Sequence, residues 1–144
     1  MGAAQHRSFH RSTLYVVLLS VIYAIIGNTF FHMAYRSSTV IDQSYLIVAL
    51  LAVLYVIPVV FWFRSRYWYF PLFIPILWVP MTVIFSFLFG ILFPFPEEDM
   101  GGGLLLLFIH GLNLGSVLLG VALGMTANAL ITAWRKFGSE IKAK

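Results

Sequence analysis

The chain has 144 residues, of which 61% are hydrophobic and 10% charged, with a formal net charge of +4 and no cysteine. Soluble proteins carry about 25% charged residues, so the composition argues against a conventional water-soluble enzyme or receptor domain. Without cysteine there are no disulfides, thiolate metal sites or cysteine nucleophiles.

Four stretches, residues 14–33, 45–63, 69–92 and 104–131, contain no Asp, Glu, Lys or Arg. Each reaches roughly the 20 residues that a helix needs to cross a hydrocarbon layer. A helix on a soluble domain keeps a solvated face, and these stretches offer none. The expected fold is all-α: a single domain over 1–144 that forms a four-transmembrane-helix bundle.

The charges outside these stretches predict an orientation. Arg7, Arg11, Arg64, Arg66, Arg135, Lys136, Lys142 and Lys144 fall on one side if the chain crosses four times. The other side has Arg36 alone among basic residues, together with Asp42, Glu97, Glu98 and Asp99. Lys and Arg in short loops mark the cytoplasmic side, so both termini are expected there. The basic balance then reflects topology and contact with the lipid bilayer, not nucleic-acid binding. A bacterial inner membrane is the expected location.

In chain order, the first helix is predicted to start near Ser12 or Thr13 as N-cap and to run to about Tyr35. A short polar connection leads to the second span, where Pro58 predicts a kink. The turn Arg64-Ser65-Arg66 predicts an antiparallel hairpin of spans two and three. Its flanks, Trp62, Tyr67, Trp68 and Tyr69, and the distant Trp134 are expected at one interfacial depth. In the third span Pro71 fits an opening turn, while Pro75 and Pro80 predict bends. Residues 93–103 form an acidic, Gly/Pro-rich outer loop. The fourth helix extends to about Trp134, roughly 46 Å at 1.5 Å per residue.

Two stripes of spacing four stand out. One is Ser20, Ala24, Asn28 and His32 in the first span. The other is Ser116, Gly120, Gly124 and Asn128 in the fourth, with Gly111 and Gly115 slightly rotated from it. Small residues four apart let helix backbones approach closely, and antiparallel packing of spans one and four along these stripes is expected. His32 and His110 are expected in one layer, with Asn28 and Asn113 a turn deeper. Polar groups at such depth face protein or water. They either fix helix register, line a ligand or ion cavity, or hold a metal or haem through the two imidazoles. Two histidines are a sparse ligand set, so no metal or cofactor is expected. The aromatic face of Trp78 and Phe85 can bind a lipid tail or a partner helix, but the expectation is that it simply meets lipid.

No carboxylate lies within the apolar stretches, and no protease or hydrolase motif is present. The sequence therefore points to a non-enzymatic membrane protein acting through helix–helix contacts with a partner membrane protein, as an accessory, assembly or immunity-type factor. An oligomeric transporter or channel around His32 and His110 is the second reading, and a bis-histidine haem protein the third. The charge asymmetry makes one expectation directly testable. A reporter active only in the cytoplasm should be active when fused after Lys144 and inactive when inserted between Glu98 and Asp99; the reverse pattern would refute the orientation.

Overall fold

The computed structural model describes residues 2–63, 68–94 and 101–142, with side chains described for 9–63, 68–94 and 101–135. The expected basic turn at 64–66, with Tyr67, and the acidic residues Glu97–Asp99 lie outside the described residues. The chain forms α1 (Gly2–Arg36), α2 (Ser38–Asp42), α3 (Ser44–Trp62), a 3-10 turn (Phe70–Leu72), α4 (Phe73–Leu92) and α5 (Gly102–Lys142). Within these, Phe9–Arg36, Ser44–Trp62, Phe70–Leu92 and Gly102–Arg135 are long and apolar enough to cross a membrane.

Several local expectations change. Ser12 and Thr13 are not caps, because α1 begins ten residues or more before them. Ser12 is buried, and the Thr13 hydroxyl donates to the Phe9 carbonyl at 3.1 Å, a bond to the preceding turn that is open to any helical threonine. The polar connection after α1 is itself the short helix α2. Pro71 does occupy an opening turn. Pro75 falls in the first turn of α4, where its missing N–H has no intrahelical acceptor to serve. Among the described residues only Pro58 and Pro80 lie inside helices beyond the first turn, where they leave the Leu54 and Ile76 carbonyls without their usual donors.

The larger correction concerns which helices meet. Spans two and three, α3 and α4, do not form a hairpin; they barely touch. The dense contacts run instead between α1 and α4 and between α3 and α5. In both pairs the register climbs together, so the paired helices are parallel. Phe9 meets Phe70, Ser20 reaches Ile74, and Asn28 reaches Thr82 and Ser86. Likewise Ser116 reaches Val48, and Asn128 reaches Val59. The two pairs meet antiparallel along α1 and α5, which occupy the middle of the bundle.

The stripes explain this pairing, although not in the expected way. Ser116, Gly120, Gly124 and Asn128 face α3, whereas Ser20 and Asn28 face α4; the two stripes do not face each other. A Cβ on Gly120 would stand 2.6 Å from Tyr55 Cβ and 2.9 Å from the Ala52 carbonyl oxygen. One on Gly124 would stand 2.7 Å from Val59 Cβ. Only glycine permits this approach. The Ser116 hydroxyl and the Asn128 amide close the seam at either end by donating to Val48 and Val59 carbonyls at 3.1 Å each.

The core between the pairs includes Leu19, Tyr23, Tyr55, Val59, Ile74, Trp78 and Val117. Trp78 therefore points into the bundle, and Phe85 packs against the same core, contrary to a lipid-facing assignment. At the lower end, where α1 and α4 begin, Tyr15 stacks on Trp62 with centroids 4.9 Å apart. At the upper end the Arg36 guanidinium lies 5.7 Å from the centre of the Phe93 ring.

Replacing Gly124 by Leu should wedge α5 from α3 and destabilise the fold by about 1–3 kcal/mol or more, as overpacking does. Gly111→Leu, at a glycine with open space above it, should leave thermal unfolding in detergent unchanged. Equal behaviour of the two variants would refute the seam.

Candidate functional site: the groove between α4 and α5

The polar residues inside the bundle separate into satisfied networks and a residue of unsatisfied atoms. Asn28 is saturated: its amide donates to the Ala24 carbonyl at 2.9 Å and to the Thr82 carbonyl at 3.4 Å. Its Oδ1 accepts the Ser86 hydroxyl at 2.8 Å. Asn113 belongs to a different network. Its Oδ1 accepts the Tyr55 hydroxyl at 3.1 Å, and its amide reaches the Tyr23 carbonyl at 3.5 Å. Tyr23 donates to the Tyr55 carbonyl at 3.0 Å, and the two rings stack with centroids 3.9 Å apart. Gly27 makes this arrangement possible, since a Cβ there would collide with Asn113 Nδ2. Both networks join helices and fix their register.

The expected cluster of Asn28, His32, His110 and Asn113 is thus not one site. His32 packs against Phe89 and Phe93. The Phe31 ring stands against both His32 and His110. The His110 Nδ1–H donates to the Leu106 carbonyl at 2.9 Å, which leaves the neutral imidazole's Nε2 as an acceptor. Among the described residues no group of three or more His, Cys, Asp or Glu is gathered, so no third ligand joins the two imidazoles there. Ser20 and Ala24 are fully buried, and Ser20 donates to Val16 and Ile74 carbonyls at 2.8 and 3.2 Å.

Of the four glycines expected to meet a partner, Gly120 and Gly124 are covered by α3. Their role is packing within the chain. Gly111 and Gly115 have nothing within 4 Å of a Cβ position. Gly111 lies in the wall of a lateral groove of about 640 Å³ between α4 and α5. Trp78, Thr82 and Ser86 line it from α4, and His110, Gly111 and Leu114 from α5. The groove exists because each of its helices is fastened elsewhere: α4 to α1, and α5 to α3.

Three residues of this wall each carry a buried polar atom with no hydrogen-bond partner: Trp78 Nε1, Thr82 Oγ1 and His110 Nε2. A buried unpaired group costs about 1–3 kcal/mol, and the three residues lie in one wall. The sequence reading marked His110 and Gly111, and Trp78 only as part of an aromatic face, but not Thr82 or Ser86. Their signal was legible, because Trp78, Thr82 and Ser86 form a stripe of spacing four in an otherwise apolar span.

Comparison of the chain with protein-family models, with curated proteins and with solved structures gave no match.

The groove residues divide by consequence. Thr82→Val removes an unpartnered buried hydroxyl at constant volume, so stability should hold or rise, by up to about 1–3 kcal/mol. Ser86→Ala deletes the donor to Asn28 and should cost about 0.5–1.5 kcal/mol. Denaturation midpoints of the two variants in one detergent check this; a larger loss for Thr82→Val would show that its hydroxyl is bonded.

Proposed function

We propose that this chain is a non-enzymatic integral membrane protein, with four spanning helices and both termini cytoplasmic, that binds a membrane-dissolved apolar molecule in the α4/α5 groove. A bacterial inner membrane suits the basic tails and short connections. Insertion is supported by the outward surface: Leu50 is 69% exposed, Phe87 73%, Ile91 79% and Leu104 75%. A water-soluble bundle exposes few contiguous patches of this kind, whereas in hydrocarbon such a surface is the solvated one.

The observation that carries the binding function is the size and lining of the groove. Its volume of about 640 Å³ lies within the range of roughly 300–1,000 Å³ typical of small-molecule sites. The lining is mostly apolar with a few polar side chains, as such sites are. From Trp78 to Phe87 the wall runs roughly 14 Å at 1.5 Å per residue. A groove of that length suits an extended apolar chain or a ring system of similar size. Binding of this kind serves a carrier or an oligomeric transporter equally.

A second reading keeps a partner helix or a second copy of the chain as the occupant. Gly111 and Gly115 favour it, because open glycines four apart accept a ridge of side chains from a neighbouring helix. It remains the accessory-factor function expected from the sequence, moved from Gly120 and Gly124 to the opposite side of α5.

Photolabelling of the purified protein with a diazirine-bearing hydrocarbon chain tests the first reading. Label should concentrate on peptides 78–87 and 106–114 and fall several-fold in Gly111→Leu. Label spread evenly over the outward face would refute it. Co-purification of a stoichiometric membrane protein, lost in Gly111→Leu and Gly115→Leu, would establish the second reading in its place.

A further inference from the structure

We infer that the groove selects a neutral lipid bearing a hydroxyl group, with the hydroxyl held among Trp78, Thr82 and His110. This inference rests on the groove being a ligand site, and it assigns the chemistry of the ligand's head.

The argument begins with hydrogen-bond supply. Trp78 Nε1 can only donate, and His110 Nε2 can only accept while Nδ1–H is committed to the Leu106 carbonyl. Thr82 Oγ1 can do either. All three atoms are unpartnered and buried, with Trp78 only 3% and Thr82 7% exposed. The other polar side chain in the wall, Ser86, is already committed to Asn28. What the wall residues leave open is therefore at least one donor and one acceptor. A hydroxyl supplies both complements from a single oxygen: its O–H donates to His110 Nε2, and its lone pairs accept from Trp78 Nε1–H or the Thr82 hydroxyl. A bare ketone or ester carbonyl would leave His110 Nε2 without a donor.

Charge narrows the class further. Among the described residues, no Lys, Arg, Asp or Glu lines the groove. A phosphate or carboxylate head would enter a low-dielectric wall without a counter-ion, at a cost of several kcal/mol per ion. A neutral head escapes that cost. Water could offer the same hydrogen bonds, but the surrounding wall is apolar and opens sideways onto the apolar flank of the bundle, where a lipid alcohol is the nearer supply.

The fold provides a way in. The three polar atoms are covered in the wall, so a hydroxyl reaches them only when α4 and α5 separate slightly. These two helices touch sparsely. Their parting leaves the α1/α4 and α3/α5 seams intact, with Gly120 and Gly124 still against α3 and Asn28 still bonded to Ser86.

The test uses the full chain in lipid nanodiscs and four photoreactive probes with one common long chain: an alcohol, a carboxylic acid, a phosphate ester and a plain hydrocarbon. The alcohol should label peptides 78–87 and 106–114 about tenfold more strongly than the hydrocarbon, the selectivity expected of about one net hydrogen bond to the head. Thr82→Val and His110→Phe should each reduce that preference, read as the ratio of alcohol to hydrocarbon labelling within the same variant. Thr82→Val is the variant that leaves packing unchanged, so its result stands even if His110→Phe misfolds. Equal labelling by alcohol and hydrocarbon, or an unchanged preference in Thr82→Val, would overturn the hydroxyl assignment and leave the groove as a ligand site. Preference for the acid or the phosphate would overturn the neutral class. No groove labelling by any probe would overturn the ligand reading itself, and this inference with it.

Discussion

Gly120 and Gly124 hold α5 so close to α3 that no other residue fits between the two helices. Much of the bundle depends on that seam. With α5 fixed, Asn113 is presented to the Tyr55 hydroxyl and to the Tyr23 carbonyl, and Phe31 comes against His110. These contacts place α1. Through Ser20 and Asn28, α1 in turn carries α4. The order of dependence runs α3, α5, α1, α4, which is not the order of the chain.

This dependence also produces the groove. Each outer helix is bound tightly to one central helix, α3 to α5 and α4 to α1. The α4/α5 flank receives only what remains, and there Gly111 looks onto open space. The contrast within one helix is instructive. Gly120 and Gly124 serve packing, while Gly111 and Gly115, a few turns away and rotated around the axis, leave a surface uncovered. The same rotation brings His110 into the groove wall while Asn113, three residues on, is consumed in the central network.

The division of the chain into four long helices was legible in the sequence because exclusion of charge over about 20 residues is a strong one-dimensional signal. Helix ends were less so: Ser12 and Thr13 read as caps, yet their hydroxyls serve equally well inside a helix. The stripes of spacing four identified faces that pack closely, but a periodic pattern names a face and not its partner. Pairing was therefore missed, since four-residue spacing is compatible with either a parallel or an antiparallel neighbour. For the candidate site, His110 and Gly111 were visible as a polar residue and a small one in an apolar span. Trp78, Thr82 and Ser86 were visible as a stripe of spacing four, but an indole or a threonine hydroxyl in such a span does not read as a site until its hydrogen-bond partners are counted. The orphaned state of the Trp78 and Thr82 polar atoms exists only in three dimensions.

The two parallel seams have a consequence for how the chain is made. Hydrogen bonds across them join residues 54 to 69 positions apart, from Ser20 with Ile74 to Asn128 with Val59. A ribosome delivers α1 and α3 first, and these two touch at only a few places, among them Tyr15 with Trp62 and Tyr23 with Tyr55. Neither finds its main neighbour until synthesis has reached α4 or α5. Long separations of this kind delay native contact formation. The half-made chain is accordingly a pair of loosely associated helices with unfilled faces, and the tertiary structure closes only when its last helix arrives.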